Sequence, residues 1–247
     1  MSSLQGKTAV VTGGSQGIGA GIVRKLAKQG ANVAFNYLAN AAAAERIVAE
    51  FDTADSRVVA VKADVTSQGD LDTLFATAHR EFGDLDILVN NAGVFTFHPI
   101  AAIELEEVNR LFKTNVFAPM FAIKTALGHF RDGGSIINIG SIVATMAPPT
   151  FLAYSSSKAA VDGITRVLSK ELSPRKITVN QINPGSIRTE GAQKAGLSEE
   201  VERGLVTTIP LGRIGFPEDI ANLTAFLASD DARWITGEII MVSGGAR

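Results

Sequence analysis

Cysteine is absent from all 247 residues, and its absence closes several chemistries at once. Disulfides, thiolate nucleophiles and every cysteine-based zinc or iron–sulfur centre are excluded. Histidine is nearly as scarce. His79, His98 and His129 are far apart, and none falls in an H-E-x-x-H pattern, so no catalytic metal is expected. An excess of charge is lacking too: 23 basic residues oppose 25 acidic ones for a net −2. Without a basic stripe to neutralise phosphates, no nucleic-acid partner is expected. Met1 to Lys7 has neither a basic leader nor a long apolar run, which argues against secretion. The uncharged stretch from Gly133 to Ser157 carries Asn138, several serines and Pro148-Pro149. A spanning helix needs about 20 predominantly apolar residues, so no membrane partner is expected either. A soluble enzyme of a reducing compartment, the cytoplasm, is the class these absences leave.

What is present is an alternation. Short β-branched runs at Thr8–Thr12, Asn32–Tyr37, Arg57–Lys62, Asp86–Asn90, Ser135–Ile139, Thr178–Ile182 and Glu238–Val242 predict seven strands. Several are continuously apolar, as parallel strands covered on both faces are. Helical patterns lie between them at Ile18–Gln29, Ala41–Glu50, Gln68–Glu81, Leu105–His129, Ala153–Leu172 and Pro217–Ala228. Strands separated by helices of this length predict an α/β fold: one domain, 1–247, a doubly wound parallel sheet with helices on both faces. The long connection at about 185–216, rich in Gly, Ala and charged residues, is expected to be a mobile lid over the substrate.

The first predicted strand runs into T-G-G-S-Q-G-I-G at 12–19, and an apolar helix follows at once. Glycines at 13, 17 and 19 allow a tight turn and leave helix N–H groups facing an anion, which is how a strand–turn–helix holds pyrophosphate. A purely structural turn would use the same residues. Where the second strand ends, a carboxylate would mark NAD(H) by accepting from the ribose 2′-OH. Asn36 stands there, followed by Tyr37, and Ser15, Asn36 and Asn40 offer neutral donors. NADP(H) is therefore favoured over NAD(H), although no Arg or Lys occurs at 14–16 or 36–40 to grip a 2′-phosphate.

Tyr154 and Lys158 lie four apart at the start of a helical pattern, hence on one face. A solvent-facing pair would look the same, but this one closes the uncharged stretch and follows Ser141. Bringing a phenol from pKa about 10 to near 7 requires roughly 4 kcal/mol. A lysine cation about 4 Å away at an effective dielectric of 20 supplies a similar amount. The pair could thus transfer protons without histidine, with Ser141 orienting a carbonyl and hydride coming from a cofactor.

With these residues in place, the whole chain resembles the short-chain dehydrogenase/reductase family. The resemblance rests on T-G-G-S-Q-G-I-G at 12–19, Asp64-Val65, N-N-A-G at 90–93, Asn115, N-I-G-S at 138–141, Y-S-S-S-K at 154–158 and P-G at 184–185, in that order. It implies a Rossmann-type fold, Tyr154 as general acid/base, and Lys158 holding the nicotinamide ribose and lowering the tyrosine's pKa. It further implies that Ser141 binds the carbonyl oxygen and that Asn115 positions a water in a proton relay. Cofactor contacts are implied for Gly13, Ser15, Gln16, Gly17, Ile18, Gly19, Asn36, Tyr37, Asp64, Val65, Asn91, Ala92, Gly93, Pro184, Gly185, Ile187 and Thr189, with Tyr154 and Lys158. Homotetramers are common in the family. The chain is similar to the 3-oxoacyl-[acyl-carrier-protein] reductases and related NADPH carbonyl reductases. Gln16 and the P-G-S-I-R-T-E-G lid sequence turn the expectation from the acyl-carrier branch toward small or moderately bulky ketones or aldehydes. An NAD-dependent alcohol dehydrogenase, a lyase or epimerase with a retained nicotinamide, and a non-catalytic dinucleotide sensor are the other readings.

Overall fold

The computed structural model describes residues 4–51 and 57–246. The first three residues of the Met1–Lys7 segment lie outside that range. Seven strands form one sheet: β1 (Thr8–Val11), β2 (Asn32–Tyr37), β3 (Val58–Lys62), β4 (Leu85–Asn90), β5 (Phe130–Ile139), β6 (Thr178–Pro184) and β7 (Ile239–Val242). Their order is β3-β2-β1-β4-β5-β6-β7, and every pairing is parallel. The helices are α1 (Gly17–Lys28), α2 (Ala41–Ala49), α3 (Gln68–Phe82), α4 (Leu105–Phe112) and α5 (Ala118–Ala126). They continue with α6 (Val143–Met146), α7 (Leu152–Glu171), α8 (Glu190–Lys194), α9 (Glu199–Val206) and α10 (Pro217–Leu227).

The strand period of two divides the core into two layers. Ala9, Val11, Val33, Phe35, Ile87 and Val89 face α1, α2 and α10, whereas Val10, Ala34 and Leu88 face α3, α5 and α7. Both faces of the central strands are therefore apolar, which explains their unbroken hydrophobic runs. The order of strands reverses beside β1: β2 lies on one side of it and β4 on the other. In open parallel sheets the crevice at such a switch point, beyond the carboxyl ends of the strands, is where ligands bind. The glycine turn after β1 and N-A-G after β4 both open there.

Two expected elements differ, and one helix appears that was not expected. The single long helix at 105–129 is broken into α4, a wide π-helical turn at Lys113–Phe117, and α5. Pro119 has no N–H to donate to the carbonyl of Asn115 four residues back, so the α-register fails there. The 185–216 connection is not a bare loop: it holds α8 and α9, capped by Thr189 and Ser198. Finally, α6 fills the turn after Ser141, and the return to α7 passes through Ala147 and Thr150 at φ 43° and 72°.

Candidate active site

The glycine turn is shaped by close approach. Gly13 and Gly17 adopt φ of 67° and 54°, a region that favours glycine. A Cβ on Gly19 would lie 2.1 Å from the Gly13 carbonyl oxygen and 2.5 Å from Asn91 Nδ2. Helix α1 begins with neither a capping side chain nor an acidic residue in its first turn. Its first N–H groups are thus presented to an outside acceptor, an arrangement that fits the bridging phosphates of a dinucleotide. Ser15, Gln16 and Ile18 line this turn, with Gln16 the most exposed.

Several of the expected cofactor contacts also brace the turn. Asn36 is buried, and its Oδ1 accepts from Gly13 N at 2.9 Å while Nδ2 donates to Ala63 O at 2.8 Å. Asn36 therefore supports the loop through both ends of its amide. Asn40 caps α2, accepting from Ala43 N at 3.1 Å. Asn91 donates to the carbonyls of Thr12 and Gly13 at 2.9 and 3.1 Å. The Asp64 carboxylate accepts from Thr66 N, and Val65 is buried in the core layer below α3 and α5. Tyr37 is half-buried against the α1 layer, whereas Gly93 is exposed at the crevice. Pro184 is buried, Gly185 packs where a Cβ would meet Ser243 Cα at 2.8 Å, and Ile187 is in the core. Thr189 is the cap of α8 and packs over Gly17.

Tyr154, Ser141, Lys158 and Asn115 converge on the crevice from α7, the end of β5 and the π turn. The Ser141 hydroxyl accepts from Val143 N at 3.3 Å and faces the Tyr154 phenol, whose pKa it draws down. Lys158 is buried, donates to Ile139 O at 2.9 Å, and has its Nζ 6.0 Å from the centre of the Tyr154 ring. A Cβ on Gly93 would lie 3.3 Å from Asn115 Oδ1 and 3.5 Å from Lys158 Nζ, so these two groups flank one point of the crevice. The Asn115 amide is fully engaged: Oδ1 accepts from Val94 N, and Nδ2 donates to Val94 O and to Ser157 Oγ. Ser157 in turn donates to the Tyr154 carbonyl. The side chain therefore ties β4's exit loop to α7.

The expected depression of the tyrosine pKa is not what the geometry gives. Burial pushes the Tyr154 phenol above its usual value, and the hydrogen bond with Ser141 offsets part of that rise. The phenol is thus protonated at neutral pH, the form able to give a proton. Burial pulls Lys158 down to about 8, so its ammonium is charged below that pH and neutral above it. For the free enzyme, kcat/KM should fall as pH rises through about 8, and a pH profile checks this. The sign for stability is separate. Because the folded value lies below 10.5, the unfolded chain holds this proton between about pH 8 and 10.5 while the folded chain does not. The burial penalty is therefore complete below about 8 and is relieved as pH rises across that window.

Asn90 is readable as a sheet-stabilising residue, but the full tie between α7 and the sheet was not foreseen in the sequence. Asn90 donates to Asn138 at 2.9 Å, Asn138 to Thr165 at 2.9 Å, and Thr165 to Gln181 at 3.0 Å. Gln181 donates to Asp162 and Asn183. This buried chain crosses β4, β5 and β6 and fixes α7, which carries Tyr154 and Lys158. The polar residues inside N-I-G-S and T-V-N-Q-I-N-P are its only sequence signal. Phe95, Phe97 and Phe151, which the sequence offers either as pocket walls or as ordinary core residues, gather beside Tyr154. Phe97 stacks on Phe151 at 5.2 Å, and Phe95 and Phe151 flank Tyr154 at 6.0 and 6.4 Å between ring centres.

A parallel sheet with a glycine-rich strand-to-helix turn at its switch point defines a dinucleotide-binding α/β protein. Comparison with known proteins makes this specific. A family model described as enoyl-(acyl carrier protein) reductase matches residues 13–247. An uncharacterised oxidoreductase of Methylorubrum extorquens is 48% identical over 248 residues, covering 100% of both chains. A hydroxynaphthalene reductase-like protein of Metarhizium brunneum is 41% identical, covering 99% of this chain and 96% of that one. The solved structure of an angucycline C-6 ketoreductase with bound NADP superposes with a TM-score of 0.93 at 40% identity, covering 99% and 97% of the two chains. The chain belongs to the short-chain dehydrogenase/reductase family, a family of oxidoreductases.

Proposed function

We propose that this protein is an NADP(H)-linked reductase of ketones, working on a carbonyl/secondary-alcohol pair. The observation that carries the reading is the convergence of Tyr154, Ser141 and a buried Lys158 at the carboxyl ends of the strands, with Lys158 Nζ 6.0 Å from the Tyr154 ring centre and bonded to Ile139 O. The angucycline ketoreductase, 40% identical, was solved with NADP, which supports the choice of cofactor.

The bound nicotinamide dinucleotide supplies the hydride. Gly13, Gly17 and Gly19 let the backbone approach its phosphates. Ser141 donates to the substrate carbonyl oxygen and orients it beside the phenol. Tyr154 gives its proton to that oxygen as negative charge develops there, and the raised pKa keeps the proton available at neutral pH. Lys158 would hold the ribose of the bound dinucleotide, and its ammonium would stabilise the tyrosinate left behind. Asn115 and Ser157 fix the start of α7.

The wall beside Tyr154 is apolar and aromatic. Phe95, Phe97 and Phe151 form one aromatic surface running to Tyr154, and the nearby 133–157 segment carries no charge. Fused-ring ketones suit it better than charged acyl-carrier thioesters. The names of two relatives, which refer to hydroxynaphthalene and angucycline reduction, support the same class. The test is NADPH consumption at 340 nm over fused-ring ketones, small aliphatic ketones and 3-oxoacyl thioesters. Fused-ring ketones should show the highest kcat/KM; a preference for the thioesters would contradict the reading. Phe97→Ala should lower kcat/KM for a bicyclic ketone by about tenfold or more while leaving a small aliphatic ketone within about threefold.

A further inference from the structure

The first N–H of α1 is already held. Gly17 N donates to Glu190 Oε2 at 3.1 Å, across 173 residues of sequence. Glu190 opens α8, and Thr189, the cap of that helix, lies over the same glycine: a Cβ on Gly17 would be 3.2 Å from the Thr189 methyl. The lid segment is pinned behind this contact, with Arg188 N donating to Gly215 O and Gly215 N donating to Ser186 O. A cavity of about 300 Å³ lies between the two elements, lined by Gly17, Gly21, Arg24, Glu190 and Pro217 among others.

A carboxylate at this point is attracted by the forces that hold a phosphate: a charge-assisted hydrogen bond from an unpaired helix N–H and the positive end of the α1 dipole. Since α1 has no acidic residue or side-chain cap of its own, Glu190 is its first-turn anion. Two anions cannot share one N–H, and a carboxylate left within a few ångströms of a diphosphate would be repelled. The carboxylate has somewhere to go. Arg24, on the wall of the same cavity, is held charged first by Glu50 and further by Glu190 and Glu218.

The geometry points to Glu190 as an internal competitor for the phosphate cradle. Its carboxylate latches α8 onto the glycine turn, the bridging phosphates of NADP(H) displace it, and its return hastens cofactor release. This rests on the reading of residues 13–19 as the phosphate site, and the two are tested apart. Hydrogen–deuterium exchange of the wild-type protein reads the cradle: NADP⁺ should protect the peptide covering residues 12–24. Calorimetry with Glu190→Gln and Glu190→Ala reads the competitor. Both variants should bind NADP⁺ about 5- to 20-fold more tightly and release NADPH correspondingly more slowly in stopped flow. Their affinity for 2′-AMP, which has no bridging phosphates, should stay within twofold of wild type. If NADP⁺ leaves 12–24 unprotected, the cradle reading fails and takes the competitor with it. If 12–24 is protected but the variants bind NADP⁺ no more tightly than wild type, only the competitor role is overturned. Equal tightening toward 2′-AMP also overturns it, because the effect would then not be local to the phosphates.

Discussion

Tyr154→Phe is expected to lose about three orders of magnitude in kcat while binding NADPH as wild type does. The substitution removes one oxygen and leaves the ring in its place between Phe95 and Phe151. General acid catalysis by a positioned side chain is worth roughly 10²–10⁴-fold, and a thousandfold loss corresponds to about 4 kcal/mol in the barrier. Ser141 would remain to orient the carbonyl but would have no phenol behind it. Binding is expected to hold because Lys158 keeps its bond to Ile139 O without the phenol. Steady-state kinetics with a fused-ring ketone, beside NADPH titration, separates the two effects. Turnover within tenfold of wild type would remove Tyr154 from the proton-transfer step.

Gly19→Ala should abolish NADP(H) binding, with Kd rising at least about a hundredfold. The new Cβ would sit 2.1 Å from a backbone oxygen and 2.5 Å from the Asn91 amide, which itself fixes Thr12 and Gly13. Neither neighbour is the free end of a flexible chain, so the whole turn must shift. The same clash costs stability, and overpacking of this kind is commonly worth about 1–3 kcal/mol. Calorimetry on folded variant protein, verified by circular dichroism, measures the loss. By contrast, Gly163→Ala meets nothing within 4 Å and serves as the control for adding a methyl group elsewhere.

The sheet and the Tyr154–Lys158 pairing were legible in the sequence for different reasons. The strands were readable because both faces are buried, so their apolar runs are unbroken. Tyr154 and Lys158 were readable because four residues is one helical turn. What was not legible depends on contacts between distant segments. Asn36 stands where a cofactor-selecting residue is expected, yet Gly13 and Ala63 occupy both ends of its amide. The rise in the Tyr154 pKa follows from burial, which no local motif encodes. Lys158 Nζ lies 6.0 Å from the Tyr154 ring centre and donates to the Ile139 carbonyl, a placement that no local motif encodes. The break in the long helix at Asn115 had a visible cause in Pro119, but apolar periodicity runs through the proline and hides it. The polar chain from Asn90 to Gln181 is scattered over 92 positions and assembles only when three strands align.

The revised phenol pKa sharpens the mechanism. A tyrosine protonated at neutral pH is poised to donate, which suits reduction of a carbonyl, and the lysine then stabilises the anion that forms. Above about pH 8 that lysine is neutral, so the reductive direction should weaken on the alkaline side even though the phenol still carries its proton. The Glu190 contact adds a further layer, since each cycle would exchange one anion for another at the end of α1.

The most direct test of hydride transfer is to count both products in one reaction. NADPH oxidation is followed at 340 nm while the alcohol formed from a fused-ring ketone is quantified by chromatography, for wild type and Tyr154→Phe. One NADPH consumed per alcohol formed in wild type, with both signals falling together in Tyr154→Phe, is the predicted result. Product formation without net NADPH consumption, or alcohol formation at an undiminished rate in the variant, would contradict it.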